Sequence, residues 1–130
     1  MKIDRINNRP MNKETYALRT TVINLIREAI NGGAKLPWIG VRIGNQTSKH
    51  KNVLGCAVMQ GNKLWITEDA INLGTDALRN IVFHEIAHAV YGTKHDESCP
   101  LMGAVLNEDA VLNQEDCLKH LLKYQPKEKR

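Results

Sequence analysis

Between Thr75 and Val90 the apolar residues Leu78, Ile81, Val82, Phe83, Ile86, Ala87 and Val90 recur at helical spacing, and among them stand His84, Glu85 and His88. An apolar helix is buried. Burying two imidazoles and a carboxylate without partners is costly, so any fold that accepts this helix must also supply something for them to hold. Residues four apart lie about one turn apart on one face, at about 3.6 residues per turn. His84 and His88 can therefore grip one metal ion from one side. Glu85 projects beside them, placed to work on a metal-bound water. Thr75 is the expected N-cap, Asp76 sits in the first turn, and Gly92 supplies the stop.

The 130 residues suit one domain, 1–130, with one core, and residues 1–11 and 125–130 are expected to be flexible ends. With 42% hydrophobic and 25% charged residues the composition is that of a soluble globular protein. Aromatics are scarce, which argues against a stacking platform for single-stranded nucleic acid. The net charge of +4 is partly a basic tail, Lys123, Lys127, Lys129 and Arg130, so nucleic acid is not indicated as a partner. Cys56, Cys99 and Cys117 are odd in number and far apart, with no C-x-x-C pair. That disfavours both a cysteine zinc knuckle and a disulfide framework, and fits reduced thiols. No apolar stretch precedes Pro10 and none approaches the roughly 18 residues that a membrane span needs, so a cytoplasmic protein without a signal peptide is expected.

The expected fold is α+β. Asn12, as N-cap, opens a helix that runs to about Ile30 and stops at Gly32-Gly33. Trp38–Ile43 reads as a strand, followed by a polar loop from Gly44 to Asn52. Val53–Gln60 and Lys63–Thr67 read as two more strands, joined by the tight-turn pair Gly61-Asn62 into an antiparallel hairpin. The expected sheet is therefore three-stranded and mainly antiparallel. The motif helix follows, then Leu101–Asn113 as a turn with a short helix, then a closing helix Gln114–Tyr124.

Catalytic zinc takes three protein ligands and keeps a fourth position for water, so two histidines leave one ligand to find. Gly92 turns the chain back, and His95 follows three residues later, within reach of the metal. Three neutral imidazoles would leave a site that lowers the pKa of bound water to roughly 7. Glu85 would take the proton from that water and pass it to the leaving amine. One zinc ion per chain is expected, although three imidazoles also suit copper, nickel or iron.

H-E-x-x-H followed by a glycine, a third histidine and a methionine resembles the metzincin metallopeptidases, within the wider zincin group. The match runs from about Thr75 to Met102. The resemblance implies zinc on His84, His88 and His95, Glu85 as catalytic base, and Met102, in Cys99-Pro100-Leu101-Met102, as the floor of the site. It also implies a peptide substrate lying along an edge strand, Val53–Gln60 or its hairpin partner. One departure stands out: three residues, Ala89, Val90 and Tyr91, separate the second histidine from the glycine, where the family pattern has two. The helix is expected to run one residue further in consequence. Asp96 and, on the last helix, Glu115 stay open as alternative third ligands.

The supporting residues have plainer readings. Met102 serves equally as a core filler. Asp96 reads as a turn residue or as an acceptor for a histidine N–H. Tyr91 reads as packing, or as a phenol that steadies an oxyanion. His50 and His120 read as exposed, and Cys99 as a structural thiol. The leading expectation is a zinc-dependent metalloendopeptidase acting on a protein or peptide. The alternatives are a non-catalytic zinc-binding regulatory or interaction domain, and a peptidase acting on DNA-bound proteins.

Overall fold

A computed structural model describes residues 13–44, 55–58, 62–103 and 110–126. The elements are α1 (Lys13–Asn31), β1 (Gly40–Gly44), β2 (Gly55–Val58), β3 (Lys63–Thr67), α2 (Glu68–Ile71), α3 (Thr75–Ala89) and α4 (Gln114–Tyr124). Asn12, the loop at 45–52, Gly61 and the tail 127–130 lie outside the described residues.

The mainly antiparallel sheet is corrected. The strand order is β1-β3-β2, so β3 is central, and the sheet is mixed. β2 and β3 are antiparallel, with Cys56 opposite Trp65, whereas β1 runs parallel to β3, with Val41 opposite Leu64. Alternation of apolar and polar residues says which face of a strand meets the core. It does not say in which direction the neighbour runs, and that is where the expectation failed. Leu64 and Ile66 of β3 and Val41 of β1 point inward, leaving Lys63, Trp65 and Arg42 on the other face.

α3 is buried almost all round, from Ala77 to Ala89, with only His84 and His88 half-exposed in its second half. It contacts α1, the sheet and α4. Leu78, Val82, Phe83 and Ile86 join Val22, Leu25, Leu64, Ile66, Met102 and Leu121 in one core. Thr75 is not the N-cap: the cap position is Gly74, without a side-chain bond, and the Asp76 carboxylate in the first turn faces Arg79 instead. Arg79 is itself buried and forks onto Glu28 of α1, at 2.6 and 3.1 Å. Asn80 bonds both backbone groups of Leu112, pinning the approach to α4 against α3.

Asn113 caps α4 by accepting from the Asp116 N–H, with Glu115 and Asp116 in the first turn and Lys123 in the last, the arrangement that suits the helix dipole. Past α4, Gln125 is held by hydrogen bonds to two other parts of the fold. Its side-chain oxygen accepts from the Lys35 backbone N–H at 2.6 Å and from the Tyr91 hydroxyl at 2.9 Å. Among the described residues, no helix is long and apolar enough to cross a membrane.

Candidate metal centre

The site forms where α3 ends. The helix stops at Ala89, one residue after His88, and Val90 is the C-cap. The extra residue before Gly92 therefore does not lengthen the helix, contrary to expectation. The turn absorbs it instead: the Thr93 N–H returns to the Ala87 carbonyl, at 2.9 Å, across six residues. The usual glycine-ended helix closes across five. Gly92 lies at φ +68°, the left-handed conformation this reversal needs, and its α-carbon faces open space.

The reversal brings His95 back over the helix. One ring nitrogen from each of His84, His88 and His95 can be chosen so that all three lie within 4.8 Å of one another. Ring centroids are 4.6 Å apart for His84 and His88, 4.7 Å for His88 and His95, and 5.2 Å for His84 and His95. His84 and His88 are half-buried and His95 is exposed, so the group opens to solvent on the His95 side.

The hydrogen bonds fix the tautomers. His84 donates from Nδ1 to the Leu101 carbonyl, at 2.8 Å, and His88 donates from Nδ1 to the Thr93 carbonyl, at 2.6 Å. A carbonyl only accepts, so each Nδ1 carries the proton and each Nε2 presents a lone pair. Those two Nε2 atoms face each other at 3.0 Å. Two lone pairs at that distance repel unless a proton or a cation lies between them. Burial, with the neighbouring imidazoles adding to it, lowers the His84 pKa to about 4 and that of His88 in the same direction, so at neutral pH no proton fills this role. Zinc bound by tetrahedral imidazoles at about 2.0–2.1 Å sets its nitrogens roughly 3.3 Å apart, close to this pair. Ring nitrogens anchored to backbone carbonyls while the opposite nitrogens converge is the arrangement that orients histidine ligands in zinc sites. The residues fit the metal.

Glu85 is buried, and burial raises its carboxyl pKa from 4.5 to about 7. Among the described residues its carboxyl has no hydrogen-bond or ionic partner. A carboxyl with that pKa gives and takes protons at neutral pH, as an acid–base group must.

The alternative ligands are not brought into the group. Asp96 is exposed, and its carboxylate accepts from the Ser98 backbone N–H at 2.9 Å and from its hydroxyl at 2.6 Å; this pairing holds its pKa low. Its own backbone N–H donates to the Met102 carbonyl. Asp96 thus closes the turn carrying Met102 and, among the described residues, accepts nothing from a histidine. Glu115 is exposed in the first turn of α4. Met102 is fully buried in the core, next to the Leu101 carbonyl that anchors His84. The Tyr91 hydroxyl is committed to Gln125, so the phenol latches the end of α4 rather than waiting for an oxyanion. His120 is half-buried rather than exposed, with Nδ1 at 3.7 Å from the buried Cys99 sulfur; His50 is outside the described residues.

The sequence reading missed the two carbonyls, of Leu101 and Thr93, that fix the tautomers of His84 and His88. Backbone acceptors carry no letter, and the only signal available was the pair of turns, at Gly92 and at Cys99-Pro100, that places them. No family model, no curated protein and no solved structure matches this chain.

Proposed function

We propose that this chain is a zinc-dependent metalloendopeptidase of metzincin-like design, with His84, His88 and His95 holding the metal and Glu85 as general base. The observation that carries the reading is the pair of Nε2 lone pairs converging at 3.0 Å beside a buried carboxyl with no partner among the described residues. A bound zinc ion supplies Lewis acidity, which polarises a peptide carbonyl and acidifies water. Glu85, one residue along α3 from His84, accepts a proton from the attacking water and returns it to the leaving amine. The Leu101 and Thr93 carbonyls hold the imidazole planes fixed throughout.

The sheet supports an extended substrate on one side. The Arg19 side chain donates to the Val41 carbonyl at 3.1 Å, occupying a group of β1. β3 is central, which removes it as a docking edge. β2 is the other edge; it contacts α3, and among the described residues no strand pairs with its outer side. A peptide added to β2 would run beside the motif helix.

A non-catalytic zinc domain accounts for the three imidazoles but gives no reason to bury Glu85 without a partner among the described residues, at a cost in stability. The deciding experiment compares the parent with Glu85→Gln on an unfolded protein substrate, with zinc content measured in both. The parent cuts the substrate, and the variant retains one zinc per chain with hydrolysis lowered by about a hundredfold or more. Equal cleavage by both proteins removes Glu85 from the mechanism. A zinc-loaded parent that cuts nothing favours the non-catalytic domain.

A further inference from the structure

Charge is divided unevenly along the chain. Residues 29–67, which contain the whole sheet, include five Lys and Arg (Lys35, Arg42, Lys49, Lys51 and Lys63) and no Asp or Glu. The remaining 13 Lys and Arg stand against 14 Asp and Glu, so the sheet segment accounts for more than the entire net charge of +4. Both tryptophans of the chain, Trp38 and Trp65, also lie in this segment.

The fold brings Arg42, Lys63 and both tryptophans to one surface, while Lys49 and Lys51 lie outside the described residues. Arg42 and Trp65 are cross-strand partners, and Lys63 is two residues from Trp65, all on the sheet face turned away from Leu64 and Ile66. The two glycines of β1 make room for the indoles. A β-carbon on Gly44 would meet the Trp65 ring nitrogen at 2.4 Å, and one on Gly40 would meet the Trp38 ring at 3.3 Å and the Lys63 side chain at 3.4 Å. The two indoles therefore lie over the two ends of β1, about 13 Å apart at about 3.3 Å per residue, with Arg42 between them. Trp38 is 76% exposed, an extreme position for the largest apolar side chain. Neither Arg42 nor Lys63 has an ion-pair partner among the described residues.

We propose that this outer sheet face binds single-stranded nucleic acid, with a base stacked on Trp38 and phosphates met by Arg42 and Lys63. Charge complementarity selects a polyanion, and the exposed Trp38 indole beside the half-buried Arg42, Lys63 and Trp65 selects one that carries aromatic rings. An acidic peptide would account for the charge and leave Trp38 without purpose. The scarcity of aromatic residues pointed the other way, but a count does not register that both tryptophans share one face. The face is on the opposite side of the sheet from α3, so the inference does not depend on the peptidase reading.

The test is binding of the zinc-loaded full chain to a fluorescein-labelled oligothymidylate of about 15 nucleotides, read by anisotropy across a salt series. Saturable binding is expected, with quenching of tryptophan fluorescence. Trp38→Ala, checked for folding by circular dichroism, weakens it about tenfold, as loss of one stacked base does. Lys63→Gln lowers the slope of log affinity against log salt by about 0.7, whereas Lys119→Gln on α4 leaves affinity unchanged. Heparin, a polyanion without rings, should bind Trp38→Ala as well as the parent. No binding at about 0.05 M salt overturns the proposal, as does binding indifferent to both Trp38 and Lys63. Capture by phosphatidylserine vesicles without oligonucleotide binding overturns it in favour of a membrane surface. Failure of any arm leaves the hydrolysis assay untouched, because nothing here reads cleavage.

Discussion

His88 donates its Nδ1–H to the Thr93 carbonyl at 2.6 Å, across a reversal whose left-handed residue is Gly92. The Thr93 N–H is also engaged, with Ala87, so one residue both closes the turn after the helix and sets the plane of the His88 ring. Gly92→Ala isolates this coupling. No atom lies within 4 Å of the added methyl, so the cost is that of the left-handed backbone alone, about 1 kcal/mol. Chemical denaturation should show that loss. Zinc affinity should fall severalfold as well, because both His88 and His95 hang on the same turn. Unchanged zinc affinity at reduced stability would separate the turn from the ligands.

Zinc titration of the single variants decides the ligand set. His84→Ala and His88→Ala should abolish stoichiometric binding, and His95→Ala should weaken it by at least about a hundredfold, the range in which removing even a ligand's support is felt. Asp96→Asn and Glu115→Gln should bind as the parent does, since the Asp96 carboxylate is held by Ser98 and Glu115 is exposed on α4. Zinc loss in Asp96→Asn with retention in His95→Ala would reverse the assignment.

Much of this centre is written in the chain. Helical spacing predicts α3 and α4, and the Gly92 turn predicts that His95 returns. The hairpin is signalled by Gly61-Asn62, and Asn62 does adopt a positive φ, of 51°. What the sequence does not carry is orientation between elements. Nothing in the β1 residues says that this strand passes β2 by and joins β3 in parallel. Nor does spacing tell whether an inserted residue lengthens a helix or widens its closing turn. The commitments of Asp96 to Ser98 and of Tyr91 to Gln125 join side chains to partners outside the motif, and a motif reports only its own members.

The ion cluster of Arg79 with Glu28 and Asp76 ties the motif helix to α1 and should be the most sensitive polar point of the fold. The Arg79 side chain is 6% exposed and its Glu28 partner 23%. Removing Arg79 leaves the half-buried Glu28 carboxylate without its cation, so Arg79→Ala should cost about 2–3 kcal/mol in urea unfolding, less than the roughly 3–5 kcal/mol of a fully buried pair. The double variant Arg79→Met, Glu28→Gln should recover most of that loss. Asp76 is largely exposed, at 62%, and Asp76→Asn should cost about 1 kcal/mol or less. Equal losses for Asp76→Asn and Arg79→Ala would mean that the cluster is not what joins the two helices.

The last prediction concerns pH in the chelated, metal-free protein. Folding raises the Glu85 pKa from 4.5 to about 7, so the folded state holds that proton more tightly than the unfolded chain. The associated stability is complete below pH 4.5 and is lost as pH rises through about 7. His84 works the other way. Its pKa falls from 6.5 to about 4 on folding, so its contribution is complete above 6.5 and is lost as pH falls through about 4. The two windows overlap from pH 4.5 to 6.5, and there the two slopes oppose each other. Glu85→Gln removes the first and leaves the second. Near pH 8 the variant should therefore be more stable than the parent by roughly 3 kcal/mol, converging with it near pH 4. Urea unfolding in chelator at both pH values measures the difference, and a gap that does not change with pH would place the Glu85 carboxyl in water rather than in the core.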